Sequence, residues 1–243
     1  MGWEAAEIAP VVADLFGYYA IQLGLAELDA LAANRMPHRY RVDRSPAGPA
    51  ERRVDLLVSS FGELPFDTQS VDLVVLAHQL EFSADPHQLL REVDRILRPE
   101  GRLLVVGFNP LSLWGLRQMV RPGGSDGFVP IEASMLGVPR VRDWLKLLSF
   151  EIDESRYGCY APPCRTARWL ERSRMLESAG DRWWPICGAV YLLSAVKRVQ
   201  GMRLVGPAWR RRPAPKAAPA VAISGRSACN RESAAILPLR RRP

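Results

Sequence analysis

Residues 54–110 read VDLLVSSFGELPFDTQSVDLVVLAHQLEFSADPHQLLREVDRILRPEGRLLVVGFNP, and this stretch decides the fold. Val54 to Ser60 and Val71 to Ala77 are short runs of branched apolar residues, the pattern of strands buried on both faces. The loop between them carries Gly62, Pro65 and Asp67. Asp85 has the chemistry of a helix N-cap, with Pro86 at the first helical position and Gln88 three residues after the cap. Leu89, Leu90, Val93, Ile96 and Leu97 recur at helical spacing, while Arg91, Glu92, Asp94 and Arg95 take the opposite face. Pro99 and Gly101 stop that helix, and Leu103 to Gly107 is another strand. Strand, helix, strand is a βαβ unit, and such units build parallel sheets covered by helices.

The ordered set Leu64-Pro65-Phe66, Ser70-Val71-Asp72-Leu73-Val74, Asp85-Pro86 and Leu97-Arg98-Pro99-Glu100-Gly101-Arg102-Leu103 resembles the class I S-adenosylmethionine-dependent methyltransferases of the small-molecule type. The resemblance implies an α/β fold: a Rossmann-like doubly wound sheet of seven strands, mostly parallel with an antiparallel last strand. It also implies S-adenosyl-L-methionine as cofactor and methyl transfer to a small-molecule nucleophile. Because one fold hosts several functions, a catalytically inactive binding or scaffolding module is the alternative.

With 243 residues the chain has room for one α/β domain and some extra. A hydrophobic share of 48% is that of a soluble protein. No basic segment followed by a long apolar run opens the chain, and the apolar run near Ile186 to Val196 is too short to span a bilayer, so a cytoplasmic protein is expected. The net charge of +7 is unevenly placed. From Gly201 onward nine Arg and one Lys face a single acid, Glu232, for a net of +9, which leaves −2 on residues 1–200. The basic isoelectric point of 9.6 therefore belongs to the tail, and nucleic acid is expected, if anywhere, only there. Cys159, Cys164, Cys187 and Cys229 show no CxxC spacing, and His38, His78 and His87 lie far upstream, so free thiols are expected and no metal site.

In chain order, Met1 to Asp14 predicts a short leading helix and Gly17 to Gly24 the first strand. Leu25 to Asn34 reads as a helix. By resemblance, the first strand ends in an acid followed by a glycine-rich turn that admits the methionine part of the cofactor. Here Gln22 stands in the acid's place, Gly24 is the one glycine kept, and Ala26 and Leu28 stand where glycines are usual. His38 to Asp43 predicts the second strand. Asp43 lies about 20 residues past Gly24, where an acid grips ribose hydroxyls in dinucleotide-type folds. It reads equally as an exposed loop acid before Ser45-Pro46. By resemblance Ser60, Phe61 and Leu64 surround the adenine, although Phe61 and Leu64 also read as core. Ala77 and His78 lie at the carboxyl end of the fourth strand, below the sulfonium by resemblance. His78 is the candidate general base, with a hydrogen bond to the backbone as the bland alternative.

Asn109-Pro110 follows the fifth strand and continues Leu111-Ser112, so it does not match the amino-methyltransferase motif, which follows the fourth. Leu111 to Val120 predicts a helix or lid, Val141 to Leu148 an amphipathic helix, Phe150 to Tyr157 the sixth strand and Ala189 to Val199 the last. Ser149 stands where the family usually has a glycine before that Phe. The expected organisation is a methyltransferase-like domain over 1–200, in which 158–184 forms a cap insertion, and a disordered Pro-, Ala- and Arg-rich tail over 201–243.

Overall fold

The computed structural model describes residues 2–25, 27–44, 54–120, 134–160, 180 and 182–199. All of them belong to one unit, Met1–Gly201. The basic tail, and residues 161–179 of the expected cap, lie outside the described residues.

The strands are β1 (Tyr19–Gly24), β2 (His38–Asp43), β3 (Leu56–Leu57), β4 (Val71–Ala77), β5 (Leu97–Phe108), β6 (Phe150–Gly158) and β7 (Val190–Lys197). They form one sheet in the order β3-β2-β1-β4-β5-β7-β6. Neighbours from β3 through β5 are parallel, and β7 runs antiparallel to both β5 and β6. The seven-stranded, doubly wound sheet with a reversed last strand is thus present. Because side chains alternate across a strand, β4 serves two cores. Leu73, Val75 and Ala77 pack with Ile8 and Val12 of helix α1 (Gly2–Ala13). Val74 and Leu76 pack with Leu89, Leu90, Val93 and Ile96 of α3 (Pro86–Ile96), and with Val141 and Leu145 of α5 (Val138–Leu147). The short α2 (Gln79–Phe82) follows β4, and α4 (Leu113–Val120) follows β5.

Local chemistry explains several boundaries. The Asp85 carboxylate accepts from the amides of His87 and Gln88, both at 3.0 Å, so α3 starts at Pro86. The reciprocal half of a capping box is not made, since Gln88 Nε2 donates to Gly62 O at 3.3 Å instead. At the foot of the sheet Asp72 accepts from the amides of Tyr18 (2.7 Å) and Tyr19 (3.0 Å) and from Arg98 (3.0 Å), fixing the start of β1 against β4 and β5. Partial burial raises its pKa, but these donors outweigh that and hold it below the ordinary value. Ser149 adopts φ 64°, the left-handed backbone that a glycine takes at no cost.

One expected helix is absent. Of the stretch expected to be helical, residues 27–34 form turns and bends rather than a helix. The reason is Gln22, fully buried in β1. Its Oε1 accepts from the Ala30 amide at 2.9 Å, and its Nε2 donates to the carbonyls of Leu25 (3.2 Å) and Leu28. The Ala30 amide is thereby spent on a side chain instead of a carbonyl four residues back. Leu28, Ala30 and Leu31 fill the core face that a helix would have covered. The third strand is also shorter than its apolar run, reduced to Leu56–Leu57.

Candidate active site

Register places the ends of the parallel strands in one row. Leu23 pairs with Val42 and Gly24 with Ala77, and Ala77 pairs in turn with Val106. Asp43, Gly24 and Ala77 therefore stand side by side at the carboxyl edges of β2, β1 and β4, with about 4.8 Å between neighbouring strands. Strand order reverses between β1 and β4, which is the topological switch point where open α/β sheets bind ligands.

Gly24 is required at its position. Its φ is +83°, and a Cβ there would lie 2.6 Å from Gln79 Oε1 and 2.7 Å from Ala77 O. Asp43 is half-buried, and its Oδ1 accepts from the neighbouring Arg44 amide at 2.6 Å. Its other oxygen has no hydrogen-bond partner among the described residues. Phe61 and Leu64 are buried in the same apolar cluster as Val42 and Val58. The Leu64 amide donates to Glu92 Oε1 at 2.8 Å, and Arg95 donates to the carbonyls of Leu64 (3.1 Å) and Phe66 (2.9 Å). Ser60 is exposed, and its Oγ accepts from the Gly62 amide at 3.1 Å.

These positions suit the nucleoside half of S-adenosylmethionine better than its amino-acid half. Asp43 presents an open carboxylate oxygen beside buried apolar residues, whereas the space over the Gly24 Cα is taken by the Gln79 side chain and the Ala77 carbonyl. Gln22, by contrast, has both amide hydrogens and its carbonyl oxygen engaged by the 25–30 turn, so it is not turned to a cofactor. Among the described residues no helix N-terminus follows β1 to face a carboxylate.

At the end of β4, His78 takes a left-handed backbone with φ 55° and its amide donates to Val106 O at 3.0 Å. Its side chain is 2% exposed. Nε2 faces Glu4 Oε1 at 3.2 Å and Nδ1 faces Glu81 Oε2 at 3.4 Å. Burial alone would lower the His78 pKa, but the hydrogen bonds to the two carboxylates raise it to about 9. Burial pushes the Glu81 pKa up against the pull of His78. At Glu4 burial also pushes upward, yet the bond to His78 outweighs it and the pKa falls. His78 is thus an imidazolium at neutral pH with both nitrogens turned to carboxylates. A ring nitrogen could take a substrate proton only by giving up one of these two carboxylate contacts.

The clasp reaches further. Glu81 also accepts from the Phe108 amide, and the rings of His78 and Phe108 lie 4.2 Å apart. Tyr191, fully buried in β7, sets its hydroxyl against Gly107, where an added Cβ would meet both the Tyr191 oxygen and Glu81 Oε1. Burial, with the Glu81 charge adding to it, pushes the Tyr191 pKa upward and keeps the phenol neutral. Sequence reasoning missed Glu4 and Tyr191. The signal for Glu4 was present: it shares helical spacing with Ile8 and Val12, an acid set into a buried apolar stripe. Tyr191 carried no such mark, since an apolar strand hides its one hydroxyl. Among the described residues no helix is long and apolar enough to cross a membrane.

A family profile for a methyltransferase domain matches residues 17–105. The uncharacterized protein YafS of Escherichia coli K12 is 32% identical over 194 residues, covering 79% of this chain and 73% of that protein. The ubiquinone/menaquinone biosynthesis C-methyltransferase UbiE of Hahella chejuensis is 41% identical over a shorter stretch of 56 residues, 23% of this chain and 22% of UbiE. An S-adenosylmethionine-dependent methyltransferase structure from Thermotoga maritima, 18% identical, superposes with a TM-score of 0.59 over 80% of this chain and 89% of that one, a likeness of fold. The profile covers the strands that make the switch point, the YafS match runs through most of the described domain, and the fold likeness agrees with both, so the chain belongs to the class I S-adenosylmethionine-dependent methyltransferases.

Proposed function

We propose that the protein binds S-adenosylmethionine at the β1/β4 switch point and transfers its methyl group to a small-molecule nucleophile. The observation that carries this reading is the row Asp43, Gly24, Ala77 across three adjacent strand ends. In this reading Asp43 accepts from the ribose hydroxyls, Phe61 and Leu64 flank the adenine, and the Gly24 backbone lies along the linking atoms. When bound, the cofactor supplies an electrophilic methyl group on a sulfonium. The chain's own residues hold and orient: His78 fixes the end of β4 by its two carboxylate contacts. A good nucleophile needs positioning and exclusion of water, not a base. The residues present favour weak cofactor binding, because the turn after Gly24 offers neither further glycines nor a helix N-terminus.

That same turn supports a second reading, a module that keeps the fold and has lost catalysis. Calorimetry of the purified protein with S-adenosylmethionine separates the two. Saturable heat supports the enzyme. No heat and no thermal shift at millimolar cofactor, with circular dichroism showing a folded protein, leaves only the module. We further infer that any nucleic-acid contact belongs to the Arg-rich tail, which a steep salt dependence lost on truncation tests.

A further inference from the structure

A cavity of about 330 Å³ opens between α5, β6 and the loop after β5. Leu111, Val138, Pro139 and Ile186 form its apolar walls. An engineered apolar cavity of about 150 Å³ accepts benzene, so this one has room for a ring and a head group.

Helix and strand periods gather its polar lining. Val138, Arg142 and Lys146 stand four apart on α5 and share one face. Ser155 and Tyr157 stand two apart on β6 and share one face of the sheet. Arg142 Nη2 donates to Ser155 Oγ at 2.8 Å, which ties the helix to the strand. The buried Nε of Arg142 has no hydrogen-bond partner among the described residues. Arg102, Arg156 and Arg198 each pair with an acid. Among the described residues neither Arg142 nor Lys146 has such a partner. Asn109 spends both amide hydrogens on the carbonyls of Ile186 (2.7 Å) and Gly188 (2.9 Å), and its oxygen accepts from the Leu111 amide (3.1 Å). Burial raises the Tyr157 pKa against the pull of the Arg142 charge, so its hydroxyl stays a donor. Asp143, exposed, is the one acid on the lining among the described residues.

A guanidinium half withdrawn from water and lacking a counter-charge gains more from an anion than a solvated one does. Its planar fork matches the oxygens of a carboxylate or phosphate. An entering cation instead meets two like charges. We propose that this cavity binds an organic oxyanion, a single apolar ring bearing a carboxylate or phosphate head directed to Arg142 and Lys146. β6 is the far edge of the sheet, with β5 and β7 between it and β4, so the site lies apart from the β1/β4 switch point. Binding here does not rest on the methyltransferase reading.

The test uses the full chain without cofactor, at about 150 mM salt to screen the Arg-rich tail. The probes share one fluorinated ring and differ in head charge: 4-fluorobenzoate, 4-fluorobenzamide and 4-fluorobenzamidine, with 4-fluorophenyl phosphate as the second oxyanion. Dissociation constants come from fluorine NMR line broadening. At least one oxyanion should bind about tenfold more tightly than the amide, and the amidine least of all. The tighter oxyanion identifies the head group. Arg142→Gln should bring oxyanion and amide to within about twofold of each other. Lys146→Gln should weaken the oxyanion about two- to threefold, and Asp143→Asn should tighten it by a similar factor, since both act through charge. These two exposed positions keep the test decisive if Arg142→Gln does not fold. Equal binding of oxyanion and amide, or no binding by any probe, overturns the proposal. So does a preference that survives Arg142→Gln, as anion capture by the tail would, or one that ignores both exposed variants. Calorimetry with S-adenosylmethionine reports on the methyltransferase reading separately, so either can fail alone.

Discussion

At His78 two carboxylates outweigh the cost of burying an imidazolium, and the consequence is a pH signature. The unfolded ring titrates near 6.5 and the folded one near 9. Below pH 6.5 both states hold the proton and the stabilisation is fully present. Between the two values only the folded state holds it, so stability falls as pH rises, and above about 9 the contribution is gone. The loss amounts to on the order of 3 kcal/mol. Denaturant unfolding at about pH 6 and about pH 9.5 should show that loss in the native sequence and a much flatter profile in His78→Gln; equal slopes would sink the assignment. Asp43 makes a different prediction. Its recorded hydrogen bond is to the next residue's amide, so Asp43→Ala should leave the thermal midpoint nearly unmoved. In calorimetry it should weaken S-adenosylmethionine about tenfold, or about 1.5 kcal/mol, through loss of a charged acceptor. Unaltered affinity would place the ribose elsewhere.

Among the elements, α3 does most to shape the site. Its cap, its Pro86 and its apolar stripe were legible from residue order, but the helix ends at Ile96 and β5 begins at Leu97, ahead of the Pro99 and Gly101 expected to stop it. Asp85→Ala should cost about 1 kcal/mol in denaturant unfolding, because two amides lose their acceptor. The clamp on the other side of α3 was not legible. Glu92 and Arg95 are one helical turn apart and read as solvent-facing charges, yet together they hold the Leu64-Pro65-Phe66 loop. Arg95→Ala should speed amide exchange over residues 64–68, while β4 and β5 stay protected, and should cost about 1–2 kcal/mol. Unchanged exchange in the loop would show that Phe61 and Leu64 anchor it by packing alone. The 25–34 segment shows the opposite failure. It has helical composition, but one buried amide side chain from β1 takes the hydrogen bond on which a helix depends.

For the whole molecule, the described residues close a seven-stranded sheet with both faces covered, within Met1–Gly201. Removing residues 207–243 should therefore leave the thermal midpoint nearly unchanged. A large drop would mean that Ile236, Leu237 or Leu239 packs on the domain. The sequence by itself determined the βαβ unit, the strand runs of β2 and β4, the start of α3 and the family, because each rests on neighbours a few residues apart: apolar period, cap chemistry, turn residues. It also marked Gly24, whose left-handed φ only glycine takes freely. What joins residues far apart in the chain was decided by the tertiary structure alone. Glu4 and Glu81 meet His78 from two helices, across 74 and 3 positions. The phenol of Tyr191 lies over Gly107, buried and without a hydrogen-bond partner among the described residues. Charge placement inside a fold depends on which side chains share a low-dielectric space, and no local pattern encodes that. The strand-end row was therefore readable in advance, whereas the state of the histidine beside it was settled by burial, a neighbouring acid and one 74 positions away.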